Sequence, residues 1–131
     1  EIKKCRLCIT THFGEAATLL GKSVKGDPFT CFKELIDKYD CITVLKGHNT
    51  LVGDKDRYYL SLYGNSGMAT AGSGDVLSGI IAGLALKELN LSKVSQAVAL
   101  HGFAGDKAKE LYGEASLTAS DIYNSIYLGF K

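Results

Sequence analysis

Apolar residues recur along this chain in two alternating rhythms. Cys5-Arg6-Leu7-Cys8-Ile9 has the texture of a short buried strand, and Cys41 to Leu45 is a second, rich in β-forming residues. Between them the spacing is helical. Ala16, Leu19 and Leu20 share one face of a short helix over Gly14 to Leu20, which Gly21 ends. Gly26-Asp27-Pro28 marks a turn, and Phe29, Phe32, Leu35 and Ile36 then predict a helix over Phe29 to Lys38. Thr50-Leu51-Val52 and Arg57 to Leu62 predict two further strands around the turn Gly53-Asp54-Lys55-Asp56.

Beyond Leu62 the texture changes. Gly64 to Gly74 carries glycines at 64, 67, 72 and 74 with small residues between them. A long helix is expected from about Asp75 to Leu89, with Ile80, Ile81, Leu84 and Leu89 apolar and Gly79 and Gly83 permitting close packing. Asn90-Leu91-Ser92 breaks it, Ser92 is a suitable N-cap, and Lys93 to Leu111 reads as another long helix. Thr118 or Ser120 caps a last helix reaching about Leu128. Strands alternating with helices predict an α/β fold, a largely parallel sheet with helices on its faces. No repeat or linker divides residues 1–131, so a single domain is expected, and its first element already reads as a central strand.

Composition narrows the function classes. Fifteen basic against fourteen acidic side chains leave a net charge of +1, which gives no field to hold a nucleic acid or an anionic membrane. Small anionic ligands need only local donors. The most apolar stretch, Gly79 to Leu86, is far short of the roughly 20 residues that a spanning helix needs, and no signal peptide is visible. Cys5 and Cys8 form a CxxC, but no second CxxC or spaced His pair accompanies it. Buried thiols and no metal site are therefore expected, as in a cytoplasmic enzyme with reduced cysteines.

Three unusual segments each follow an apolar strand: Thr10 to Glu15, Lys46 to Thr50, and Gly64 to Asp75. Open parallel sheets bind ligands beyond the carboxyl ends of their strands. In the third segment, glycines let backbone N–H groups converge, and the helix starting near Asp75 adds unpaired amides and a positive dipole end. Together these suit a phosphoryl group. A carboxylate beside a phosphate is repelled, so Asp75 suits an enzyme that activates a hydroxyl there; the plainer alternative is a helix-start residue favoured by the dipole. Lys46 either offers a point charge to phosphates or is a solvated strand end. His12 and His48 are ambiguous alone, Glu15 is as expected in a helix's first turn, and His101 reads as a packed structural residue. The loop is neither a Walker A motif nor a dinucleotide fingerprint, since no Gly-Lys-Ser/Thr follows and Leu77 stands where a third glycine would.

The stretch Ala69-Thr70-Ala71-Gly72-Ser73-Gly74-Asp75-Val76-Leu77-Ser78-Gly79-Ile80-Ile81-Ala82-Gly83-Leu84 resembles the signature of the NAD(P)H-hydrate dehydratases, a family of the ribokinase-like superfamily. Gly64-Asn65-Ser66-Gly67-Met68 is similar too, with Ser66 where proline is usual. Lys46-Gly47-His48-Asn49-Thr50 resembles the family's Lys-Gly-x-x-Thr segment. Thr10-Thr11-His12-Phe13-Gly14-Glu15 resembles its Thr-Pro-His-Pro-Gly-Glu segment with both prolines replaced. His101-Gly102 and Ala119-Ser120-Asp121 fall where the family has similar residues.

The resemblance implies a ribokinase-like three-layer α/β/α fold with a mostly parallel sheet, of which these residues are the C-terminal portion. It implies that ADP or ATP, with Mg²⁺ at the phosphates, phosphorylates the hydroxyl of hydrated NADH or NADPH, and that phosphate then leaves to restore the cofactor. Asp75 would deprotonate the hydroxyl, and the amides of Gly72, Ser73 and Gly74 would form an anion hole. Lys46, Gly47, His48, Asn49, Thr50 and Gly74 would contact the nucleotide, and His12 and Asp75 the hydrate. A homo-oligomer, or association with an N-terminal half, is implied as well. Two other functions fit the same loop: a ribokinase-like kinase of a vitamin precursor or sugar alcohol, and a non-catalytic nucleotide-binding half-domain.

Overall fold

The computed structural model describes residues 6–23 and 26–131; Cys5, and with it the CxxC, lies outside them. β1 (Cys8–His12) leads directly into α1 (Phe13–Leu20), and α2 (Pro28–Tyr39) returns the chain to β2 (Ile42–Lys46). β3 (Leu51–Gly53) and β4 (Tyr58–Leu60) follow, then a 3₁₀ turn at Ser66–Met68. α3 (Ser73–Leu84), α4 (Leu91–Tyr112) and α5 (Ala119–Ser125) complete the chain, with a closing 3₁₀ turn at Ile126–Phe130.

The sheet runs β1-β2-β3-β4. β1 and β2 are parallel, while β2–β3 and β3–β4 are antiparallel. Among the described residues the expected parallel character is thus confined to the pair joined through helices. Only short loops link β2 to β3 and β3 to β4, too short for the crossover that parallel neighbours need. β1 also extends further than its apolar run suggested. Thr10, Thr11 and His12 pair with Val44, Leu45 and Lys46, so they belong to the ladder rather than to a loop. Threonine is a good strand former, and Thr11 is buried.

Alternation along the strands sorts the core into two layers. Ile42, Val44 and Val52 pack on one face with Leu77, Ile81, Val94, Ala97 and Val98 of α3 and α4. Leu45 and Leu51 point the other way, onto Ala16, Phe32, Leu35 and Ile36 of α1 and α2. This is the period of two expected of strands covered on both faces. It makes the three layers α/β/α.

Local chemistry sets the helix ends. Asp27 caps α2 through Thr30 N at 3.1 Å, with Pro28 in the first turn. α4 starts earlier than expected because Asn90, not Ser92, is its cap, accepting from Lys93 N at 3.0 Å. Thr118 caps α5 in a reciprocal box with Asp121. α3 starts at Ser73 rather than Asp75 and ends at Leu84; Leu89 packs against the core from outside any helix. A Cβ at Gly79 or Gly83 would meet nothing within 4 Å among the described residues, so these glycines do not serve close packing there. Cys31 and Cys41 are buried, and burial, then the neighbouring Cys41, pushes the Cys8 thiol up to about 11.

Candidate functional site

β1 and β2 end side by side, with His12 opposite Lys46 in the register. His12 is both the last residue of β1 and the N-cap of α1. Its Nδ1 accepts from the N–H groups of Gly14 (3.0 Å) and Glu15 (3.3 Å). Glu15 replies: its Oε2 accepts the His12 backbone N–H at 2.8 Å. With Nδ1 engaged as an acceptor, the neutral ring carries its proton on Nε2, which lies 3.4 Å from Glu15 Oε1. Glu15 Oε2 is also 3.7 Å from Lys46 Nζ. The His12 backbone N–H chiefly, and then the Lys46 charge, hold the Glu15 carboxyl below its usual range.

The N-terminus of α3 faces this pair. Gly72, at φ 86°, turns the chain into the helix. Tight bonds use up part of the expected anion hole: Ser73 N donates to Thr70 O, and Asp75 N and Val76 N both donate to Gly72 O. Among the described residues the N–H groups of Gly72 and Gly74 have no protein acceptor. Gly74 is also where the lysine arrives. A Cβ there would stand 3.1 Å from Lys46 Nζ, so the missing side chain lets the ammonium approach the helix end. A cation and a positive helix end brought together make a site for an anion.

α4 supplies the opposite wall. Its His101 Nε2 lies 3.0 Å from Ser73 O and 3.3 Å from Ser73 Oγ. A Cβ on Gly102 would come within 2.8 Å of the Tyr63 carbonyl oxygen, so the helix and the segment after β4 touch backbone to backbone. Gly105 leaves room for the Met68 side chain. One turn on, Asp106 accepts from Gly64 N at 2.9 Å and from Asn65 Nδ2 at 3.0 Å. Ser66 is tied to Glu114. The glycine-rich segment is therefore strapped to α4 over its first half.

These elements enclose a cavity of about 570 Å³, within the range of roughly 300–1,000 Å³ that single small ligands occupy. His12, Lys46, Gly47, His48, Thr50, Ser73 and Gly74 line it, so seven of the residues singled out from sequence converge. Asn49, Gly72 and Asp75 do not line it, and Asp75 is exposed just past Gly74. The lining also includes residues to which sequence reasoning gave no part in the site. Asn65, Met68 and Ser61 are among them, and the Ser61 hydroxyl oxygen is buried without a hydrogen-bond partner among the described residues. His101, read as structural, lines the cavity as well. One signal marks it: His101, Gly102, Gly105 and Asp106 fall on one face of α4, where two glycines in a helix interior cost stability unless something packs there.

Residues 1–127 match the sequence family described as NAD(P)H-hydrate dehydratase. The chain is 46% identical over 120 residues to the bifunctional NAD(P)H-hydrate repair enzyme Nnr of Coxiella burnetii, covering 88% of this chain and 25% of that protein. It is 42% identical over 122 residues to the ADP-dependent (S)-NAD(P)H-hydrate dehydratase of Neisseria meningitidis, covering 88% of this chain and 41% of that one. Its fold is similar to the crystal structure of the ADP/ATP-dependent NAD(P)H-hydrate dehydratase of Bacillus subtilis, co-crystallised with ATP/Mg²⁺. That likeness has a TM-score of 0.82 at 27% identity, over 96% of this chain and 48% of that one. The chain thus spans less than half the length of each.

Proposed function

The chain belongs to the NAD(P)H-hydrate dehydratase family, and on that premise we propose that it carries the phosphate site and the proton acceptor of an ADP- or ATP-dependent reaction. The reaction restores NADH or NADPH from its hydrate. The observation that supports this most is Lys46 Nζ set against side-chain-free Gly74, 3.1 Å from where a Cβ would be, at the wall of the cavity.

Phosphoryl transfer is mainly positioning and charge stabilisation. Lys46 and the free amides of Gly72 and Gly74 take phosphate oxygens, and Gly47, His48, Asn49 and Thr50 follow the nucleotide away from the end of β2. Asp75 accepts the proton of the hydrate hydroxyl as that oxygen attacks the terminal phosphorus and the bond to the bridging oxygen breaks. The phosphate then leaves the hydrate carbon with its electron pair, the neighbouring carbon gives up a proton, and the nicotinamide double bond forms. His12, with Nδ1 committed to the α1 cap, offers its Nε2–H to the hydrate. Mg²⁺ binds through one or two carboxylates and substrate phosphates. Among the described residues no three His, Cys, Asp or Glu side chains gather into a metal cluster, so the ion would come with the nucleotide phosphates. There it would neutralise their charge, with Asp75 the carboxylate nearest in sequence to the free amides.

The test is turnover of the full-length polypeptide with hydrated NADH, Mg²⁺ and either ADP or ATP. Recovery of the nicotinamide absorbance with matching release of inorganic phosphate is expected. Nucleotide-independent recovery, or none at all, overturns the reading; phosphorylation of an alcohol without recovery favours the small-molecule kinase.

A further inference from the structure

We propose that His101 is a positioning residue for the phosphate site, holding the Ser73 carbonyl so that the Gly74 amide is aimed at the ligand. The inference rests on the nucleotide reading above. Ser73 C=O and Gly74 N–H belong to one peptide group, which is planar and trans, so the two bonds point in opposite directions. Fixing one fixes the other. A carbonyl can only accept, so the His101 Nε2 at 3.0 Å from Ser73 O must carry the proton and donate. The carbonyl has a second lone pair for this besides the one used in the helix ladder. Of the first amides of α3, those of Ser73 and Asp75 are already engaged by Thr70 and Gly72. Gly74 is the free one inside the helix, so its aim matters most.

The donor is suited to the task because it carries no charge. Burial, outweighing the bond to Ser73 and aided by the Lys46 charge, pushes the His101 pKa down to about 4. A neutral ring orients the peptide without competing with Lys46 for the anion. Its own position is fixed from behind. Gly102 is pressed against the Tyr63 backbone, and Asp106 holds Gly64 and Asn65, all on the face of α4 that carries His101. An arginine or lysine here would bind the phosphate itself; a neutral imidazole facing a backbone carbonyl acts on the amide instead.

The experiment compares wild type, His101→Leu and His101→Gln in the full-length polypeptide, by calorimetric titration with ADP and with ATP, and by turnover of hydrated NADH. Leu keeps bulk and helix propensity but has no donor; Gln places an amide N–H at the reach of Nε2. Because a single misaimed amide forfeits part of the benefit of an oxyanion-hole donor, His101→Leu is expected to weaken nucleotide binding and lower kcat by about 10-fold each. KM for the hydrate stays within about 2-fold, as expected when the loss is not uniform binding, and His101→Gln recovers most of both. Unchanged nucleotide affinity in His101→Leu overturns the proposal, as does equal impairment of the two variants. If melting shows that His101→Leu does not fold, His101→Gln decides: retained affinity supports the proposal and lost affinity overturns it. If wild type binds nucleotide but does not restore NADH, the dehydratase reading fails and the titrations still decide the role of His101. A wild-type protein that binds neither nucleotide overturns both.

Discussion

Lys46 is held by a partner that a ligand can replace. Its ion pair with Glu15, at 3.7 Å and partly exposed, is of the kind worth about 0–1 kcal/mol. A phosphate between Lys46 and Gly74 gains charge-assisted hydrogen bonds, each worth about 1.5–3 kcal/mol. Lys46→Ala is therefore expected to weaken ADP binding by roughly 10- to 100-fold while leaving hydrate binding much closer to wild type. Calorimetry checks this, and unchanged affinity would return Lys46 to a solvated strand end. Asp75 lies outside the cavity lining, so Asp75→Asn should spare nucleotide affinity and cut turnover by about 10²–10⁴-fold, the range of general-base catalysis. A variant with most of the wild-type rate would remove Asp75 from the mechanism. His101 also links stability to pH. Its unfolded ring takes up a proton below about 6.5, whereas the folded ring resists until about 4. The unfolded state binds more protons in that window, so stability falls as pH falls through it, by roughly 3 kcal/mol in all. The lowered Glu15 and Glu114 carboxyls act in the same direction, but only below the usual carboxylate range. Melting temperature followed from pH 7 toward that range should drop in wild type and stay flatter in His101→Gln; parallel profiles would show that His101 is not the group responsible.

At the scale of elements, the glycines of α3 and α4 look alike in sequence and differ in what faces them. Gly102→Ala puts a methyl 2.8 Å from the Tyr63 carbonyl oxygen and 2.9 Å from its carbonyl carbon, backbone that cannot swing aside. Overpacking costs about 1–3 kcal/mol, against a gain of about 1 kcal/mol in helix propensity, so a net loss is expected. Gly79→Ala meets nothing within 4 Å and should gain about 0.5–1 kcal/mol from propensity and the stiffer unfolded chain. Urea unfolding of both variants checks the pair. Equal gains would mean that the Tyr63 segment yields and that α4 does not clamp it. The strand and helix boundaries show the same division. Apolar spacing located β1 to β4 and α1 to α3, and break and cap residues located the last two helices, whereas the early start of α4 came from Asn90 and the longer β1 from pairing with β2, which no local pattern carries.

At the scale of the molecule, β1 is paired with β2 on one side, and on the other has no partner strand among the described residues. β4, at the opposite edge, exposes Tyr58, Tyr59 and Leu60. An unpaired strand edge is a template for another chain. The cavity has room for one ligand of ordinary size, whereas the proposed reaction brings two together, and transfer needs donor and acceptor held in contact. Residues 1–131 alone are therefore expected to bind nucleotide weakly, to self-associate or aggregate, and to show no turnover. Activity is expected to return on adding a separately expressed N-terminal half. Solution mass and the hydrated-NADH assay test this together, and a fully active 14.0 kDa monomer would defeat it.

The sequence by itself determined the α/β layering, the turn at Gly26-Asp27-Pro28 ahead of α2, and the three segments that meet at the cavity. These depend on spacing and local backbone chemistry, which neighbours in the chain supply. Tertiary structure alone decided that β1–β2 pairs in parallel while β3 and β4 join antiparallel, that Lys46 stands against Gly74, and that Asp75 lies outside the lining. It also decided that His101, 28 residues from Ser73, holds the helix end that the glycine-rich loop begins. The His101 contact joins α3 and α4 across a break. Its signal, a polar residue with two glycines on one helix face, says that something packs there but not what.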